Sequence, residues 1–205
     1  MERDVRESSE VGRYIQAALV LLRDQGAAQL TVRRVAEAAG TSTMGIYTTF
    51  GGRAGLLEAV YRHGFELLRD VLVTAKETAE GEDTEARIRG LAVAYLRFAR
   101  QNPSLYALMF ERPLPGFDPP PGLRAEVMAI TFALVIEEIA ALKSGDPLRH
   151  AYLLWTTIHG LVSIELTHNL RSPLPDWFIN SPEAGEKIVL DGVTALLAGL
   201  RALGA

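Results

Sequence analysis

Small and hydroxyl-bearing side chains gather over a few residues: Thr41, Ser42, Thr43, Gly45 and Thr48, with Met44 and Tyr47 among them. Hydroxyls in such a run suit hydrogen bonds to base edges and phosphate oxygens, and the Thr and Met carbons suit a thymine methyl. A helix built only to pack in a bundle would show Glu and Lys on its outer side instead. Arginines flank the run, Arg33 and Arg34 before it and Arg53 after it. A guanidinium pairs with phosphate in a bidentate way. Arg3, Arg6 and Arg13, nearer the start, suit either a polyanion or plain solvent.

Two short helices must position these groups. Thr31 is a candidate cap, its hydroxyl oxygen accepting from first-turn amides. Val32, Val35, Ala36 and Ala39 recur at helical spacing and turn Arg33, Arg34 and Glu37 outward. Gly40 stands where a helix ends, because glycine adopts the left-handed backbone without a Cβ clash. Thr41 or Ser42 then caps a second helix, with Ile46 and Phe50 as its core side chains. Gly51-Gly52 breaks it. The pattern predicts a helix-turn-helix, whose second helix enters the major groove of double-stranded DNA. The alternative from these residues alone is an ordinary helical hairpin.

Other chemistries find little support. The four histidines, His63, His150, His159 and His168, make no HExxH spacing, and no glycine-rich phosphate loop is present. The chain has no cysteine, which removes disulfides, thiolate ligands and a thiol nucleophile. Glu165 and His168 lie three apart, a spacing open to a metal, but one such pair reads better as a surface ion pair. No catalytic residue, metal site or cofactor is expected, and an enzyme is the weaker reading.

Hydrophobic residues make up 48% of the 205 and charged residues 22%, a globular composition. The net charge of −4 argues against uniform coating of nucleic acid. Its distribution is uneven: the first 65 residues hold eight basic and seven acidic side chains, whereas the rest hold 13 and 18. The N-terminus lacks the apolar core of a signal peptide, and no apolar run reaches the ~20 residues that span a bilayer. A soluble cytoplasmic protein with no membrane partner is expected.

In order, residues 1–9 read as a mixed-charge arm. Helices follow at about 10–25, with Ile15, Ala18, Leu19 and Leu22 on one face, then the helix-turn-helix, then 53–78, 84–101 and 103–110. Residues 111–122 hold half of the chain's prolines and form a loop. Further helices are predicted at about 123–142, 147–170 and 182–203, with a break at Arg171–Trp177. The fold class is all-α, nine helices without a strand.

This order, with the frame Ala39-Gly40-Thr41-Ser42, Ile46-Tyr47-Thr48-Thr49-Phe50, Arg53 and Leu56-Leu57, resembles the tetracycline-repressor (TetR) family of transcriptional regulators, most strongly over residues 12–60. Thr41, Thr49 and Gly51-Gly52 depart from the family pattern, which bears on the target sequence or the firmness of the joint between the third and fourth helices. The resemblance implies a DNA-binding domain at 1–52 and a ligand-binding and dimerisation domain at 53–205. It implies DNA contacts by Thr41, Ser42, Thr43, Met44, Gly45 and Thr48, with phosphate contacts by Tyr47, Arg53, Arg33 and Arg34. Trp155, His159 and Gly160 look like the Trp…His-Gly signature of one subgroup. That implies a pocket for a small apolar or aromatic effector, with Tyr95, Phe98, Tyr106, Met109, Phe110, Phe132, Trp155, Ile158, His159 and Val162 as candidates. Aromatic and Met residues at helical spacing are more often plain core, and His159 is at least as readily a structural hydrogen-bonding group. One head carries few charges, so useful affinity requires a homodimer. The family pattern puts its interface on the last two long helices, with Gly160, Gly192 and Gly199 allowing close approach. A repressor released by its effector is the expectation; an effector-independent or activating regulator is the alternative.

Overall fold

The structure, a computed structural model, describes residues 2–112, 114–143, 145–168 and 179–204. Side chains are described from residue 10 onward, except those of 168, 203 and 204. The break expected at Arg171–Trp177 lies outside the described residues. Among those described there are nine α-helices and no strand. They are α1 (Glu2–Gln25), α2 (Val32–Ala38), α3 (Thr43–Phe50), α4 (Arg53–Thr78), α5 (Thr84–Gln101), α6 (Pro103–Phe110), α7 (Pro121–Ala141), α8 (Pro147–His168) and α9 (Pro182–Gly204), with a 3-10 turn at Ala27–Gln29. The N-terminal stretch expected as an arm is helical from Glu2, continuous with α1.

Local chemistry sets the ends. Thr31 Oγ1 accepts from the Arg34 amide at 3.3 Å and starts α2. Asp83 Oδ1 accepts from the Ala86 amide at 2.7 Å and starts α5, and Ser181 Oγ does the same for α9 through the Ala184 amide at 3.2 Å. Pro103 opens α6, where a missing amide proton is harmless. Gly40 and Gly51 close α2 and α3 with φ of 65° and 72°, values that glycine alone adopts cheaply.

The chain forms two compact units. The first takes Met1–Leu67 with Asn102–Val127, so α6 belongs to it. Its core combines Tyr14, Ala18 and Leu22 of α1, Val35 and Ala36 of α2, Ile46 of α3, Leu56, Leu57, Val60 and Phe65 of α4, and Leu105, Tyr106 and Met109 of α6. The absence of a side chain at Gly64 matters here. A Cβ would meet Met109 Sδ at 2.8 Å and Leu105 Cδ1 at 3.1 Å, so α6 packs directly on the backbone of α4. The buried stripe of α1 runs through Tyr14, Ala17, Ala18, Leu21 and Leu22. Ile15 and Leu19, expected on it, are only partly covered, because the packed face is centred one residue earlier.

The second unit takes Leu68–Gln101 with Met128–Ala205. Its core joins Ile88, Leu91, Tyr95 and Phe98 of α5, Leu154, Ile158 and Val162 of α8, and Val189, Val193, Leu197 and Leu200 of α9. Carboxylates that enter this core among the described residues meet cationic partners. The nearly buried Glu138 receives Arg87 at 2.8 Å and Lys76 at 3.3 Å, which meets the requirement that a buried carboxylate be compensated. Glu165 of α8 accepts from Arg100 of α5 at 2.6 Å, and Arg100 also donates to the Pro182 carbonyl at 2.8 Å. Gly185 of α9 lies against this pair, where a Cβ would meet Glu165 Cδ at 2.8 Å.

Candidate nucleic-acid interface

Of the eight residues of α3, Ile46 is fully buried and fastens the helix to the first unit. Ser42, Thr43, Met44, Tyr47 and Thr48 are exposed, with Met44 69% and Tyr47 55% accessible. Met44 and Tyr47 lie on the same helix as the exposed hydroxyls, so apolar and hydrogen-bonding groups are offered together there. The hydroxyls differ in what they offer. Ser42 occupies the N-cap position of α3 but makes no side-chain cap bond, so its oxygen points to solvent uncommitted to the helix. Thr48 Oγ1 donates to the Met44 carbonyl at 3.0 Å, which leaves its methyl and its acceptor lone pair facing outward. Thr41 is partly buried, and its Oγ1 is enclosed without a hydrogen-bond partner.

Gly45 corrects an expectation. It faces inward, where a Cβ would fall closer than 3.0 Å to the Tyr14 hydroxyl oxygen and 3.3 Å from Tyr14 Cζ. Its Cβ direction is turned against α1, so any part it takes at the exposed face is through its backbone.

The cations also divide. Arg33 is exposed. Arg34 is half-buried and donates to the side-chain oxygens of Gln25 and Gln29. Arg53 donates from Nε to the Leu30 carbonyl at 2.8 Å, which ties the start of α4 to the connection before α2. Tyr47 lies over Gly52, whose Cβ would meet the ring at 3.3 Å, so the bare glycine fixes the ring's position while leaving it open to solvent. The joint between α3 and α4 is tight: a Cβ on Gly55 would fall closer than 3.0 Å to the Phe50 carbonyl oxygen. That close approach is made at Gly55, inside α4, whereas a Cβ on Gly51 of the connection would meet nothing within 4 Å. Among the described residues no group of three or more His, Asp or Glu side chains is placed to hold a metal, and no helix is long and apolar enough to cross a membrane.

The ten pocket candidates fall into two sets. Tyr106, Met109 and Phe110 belong to the first unit, where the Tyr106 and Phe110 rings lie 4.9 Å apart and Phe110 meets Phe65 edge-on at 5.4 Å. In the second unit, Tyr95 Oη and His159 Nδ1 are 2.9 Å apart. Trp155 lies 5.4 Å from the His159 ring and 6.4 Å from Phe132. Burial holds the His159 imidazole below its ordinary range, favouring the neutral form. Phe98, Ile158 and Val162 are buried among the core side chains of the same unit. None of the ten lines the open cleft of about 560 Å³ bounded by Val73, Lys76, Arg87, Leu134 and Glu138.

Comparison with known proteins bears on the family and the fold. A profile of the bacterial regulatory proteins of the tetR family matches residues 15–60, and a tetracyclin repressor-like C-terminal domain profile matches residues 88–177. The HTH-type transcriptional regulator Rv1816 of Mycobacterium tuberculosis is 28% identical over 145 residues, 70% of this chain. The chain spans 62% of the length of that relative. A protein of unknown function from Rhodococcus sp. RHA1 has the same fold, with a TM-score of 0.74, 24% identity and coverage of 93% of this chain and 94% of that one. A TetR family transcription regulator from Marinobacter aquaeolei VT8 shares it with a TM-score of 0.70 and 18% identity, covering 95% and 98% of the two chains. With both halves matched in order along more than half of its length, the chain belongs to the tetR family of bacterial regulatory proteins.

Proposed function

We propose that this protein binds a palindromic operator as a homodimer, with α3 of each protomer in the major groove, and that it represses transcription until a small apolar or aromatic molecule releases it. The exposed face of α3 carries the reading. Ser42, Thr43 and Thr48 supply hydroxyls and methyls for base edges, and Met44 supplies an apolar contact. Tyr47, Arg33 and Arg53 lie around them as phosphate contacts. Selection of random duplex DNA by the purified protein tests it. Enrichment of a two-fold symmetric site is expected; failure to enrich any palindrome-like site overturns the proposal.

Two heads per duplex follow from the small area of one. Leu148, Tyr152 and Ile164 of α8 are exposed, and a Cβ on Gly160 of α8 or Gly199 of α9 would meet nothing within 4 Å. These features favour α8 and α9 as the dimer interface. The Tyr95, Phe132, Trp155 and His159 cluster is the candidate effector site in the second unit, mostly apolar with two polar groups to orient a ligand. Release requires that the effector bind the DNA-free state more tightly. Calorimetric titration of a bound ligand alongside operator affinity tests this arm, and tight binding with unchanged DNA affinity sinks it.

A further inference from the structure

We infer that Tyr14 is a positioning residue for DNA recognition: its hydroxyl sets the height at which α3 lies on α1, and so the reach of the exposed face. The inference rests on the DNA-binding reading above.

Tyr14 is fully buried, and its phenol is held on three sides. The hydroxyl donates to Glu10 Oε1 at 3.0 Å, one turn earlier on α1. The ring meets Phe50, the last residue of α3, edge-on with centroids 5.8 Å apart. The oxygen lies directly under the backbone of α3 at Gly45. Glycine is among the poorest residues inside a helix, and Gly45 adopts no left-handed conformation that would call for it. Close approach supplies the reason. At Gly40 and Gly51, where the backbone does turn left-handed, a Cβ would meet nothing within 4 Å. At Gly45 it would collide with the Tyr14 oxygen and stand 3.6 Å from Glu10 Oε1. Adding one methyl therefore lifts α3 away from α1 or tilts it about Ile46. Hydrogen bonds to base edges weaken within a few tenths of an ångström of misplacement, whereas phosphate attraction is long-ranged and tolerant. The Gly45–Tyr14 seat thus governs discrimination between sites more than general affinity for DNA.

Full-length Gly45→Ala, Tyr14→Phe and the double variant, compared at one salt concentration, test this. Affinities are measured for a duplex that the wild type selects and for a scrambled duplex of the same composition. Gly45→Ala is expected to lose tenfold or more on the selected duplex and less than twofold on the scrambled one. Tyr14→Phe keeps the ring on Phe50 and removes the oxygen that the new methyl strikes. The double variant is therefore expected to recover to within threefold of wild type. An unchanged selected-to-scrambled ratio in Gly45→Ala, or a double variant no better than Gly45→Ala, overturns the inference. Should circular dichroism show Gly45→Ala unfolded, the double variant decides: wild-type discrimination supports the seat, and lost discrimination overturns it. A wild type that enriches no duplex overturns both this inference and the DNA-binding reading, whereas one that enriches a site leaves the variants to judge the seat alone.

Discussion

His159 sits among Tyr95, Trp155 and the core of the second unit, with its imidazole held neutral by burial. Its folded pKa lies below that of the unfolded chain, so the unfolded state takes up the proton first as pH falls. Stability from this residue is fully present above about 6.5, the ordinary histidine value, and declines as pH drops from there toward the lower folded pKa. Thermal melts of wild type and His159→Gln at pH 7.5 and 5.5 check it: the variant should lose less of its melting temperature on acidification, and an equal loss refutes the assignment. The exposure of Met44, Tyr47 and Thr48 was legible, because they fall away from Ile46 around the helix, whereas Ser42 and Thr43 share its face and are exposed at the helix start. Gly45 was not legible. Its partner Tyr14 is 31 residues away in sequence, and periodicity carries no information about what a bare backbone rests on.

At the scale of single elements, three helical glycines that look alike in sequence have different reasons to be there. Gly90 of α5 faces open space, so Gly90→Ala should stabilise the chain by up to about 1 kcal/mol through helix propensity alone. Gly55 rests on the Phe50 carbonyl, and Gly185 rests on the Arg100–Glu165 pair. Alanine at either position should destabilise by about 1–3 kcal/mol, the usual size of an overpacking penalty, in spite of its better propensity. Urea denaturation of the three variants decides. Stabilisation by Gly55→Ala would mean that the joint between α3 and α4 is not close-packed. Most helix boundaries were legible, since Thr31, Asp83, Pro103 and Ser181 cap them chemically and Gly40 and Gly51 end them. The phase of α1 was misjudged because Ala18 and Leu22 belong to both possible stripes, and Tyr14 rather than Ile15 completes the packed one.

For the whole molecule, the order of elements was readable from local signals, but the grouping of α6 with the first unit was not. In that unit α6 lies against α1 and also sets Met109 and Leu105 on the bare backbone of Gly64, pairings too far apart in sequence for local signals to carry. The functional division expected at the start of α4 remains a proposal beside the compact units, which divide after Leu67. Assembly is the property with the clearest test. Gly160→Trp places a large ring on an open part of α8, where the isolated protomer has room for it. The variant should melt like wild type yet sediment as a monomer, and should lose at least tenfold in operator affinity because one head then binds alone. A variant that remains dimeric would move the interface away from this face of α8.

The seat beneath α3 also constrains how such a protein diverges. If the seat acts as inferred, a methyl at 45 fits better once the oxygen at 14 has gone, which favours one order of the two substitutions over the other. Loss of the hydroxyl alone gives room for little beyond a methyl, since the Tyr14 Cζ position stands 3.3 Å from that Cβ.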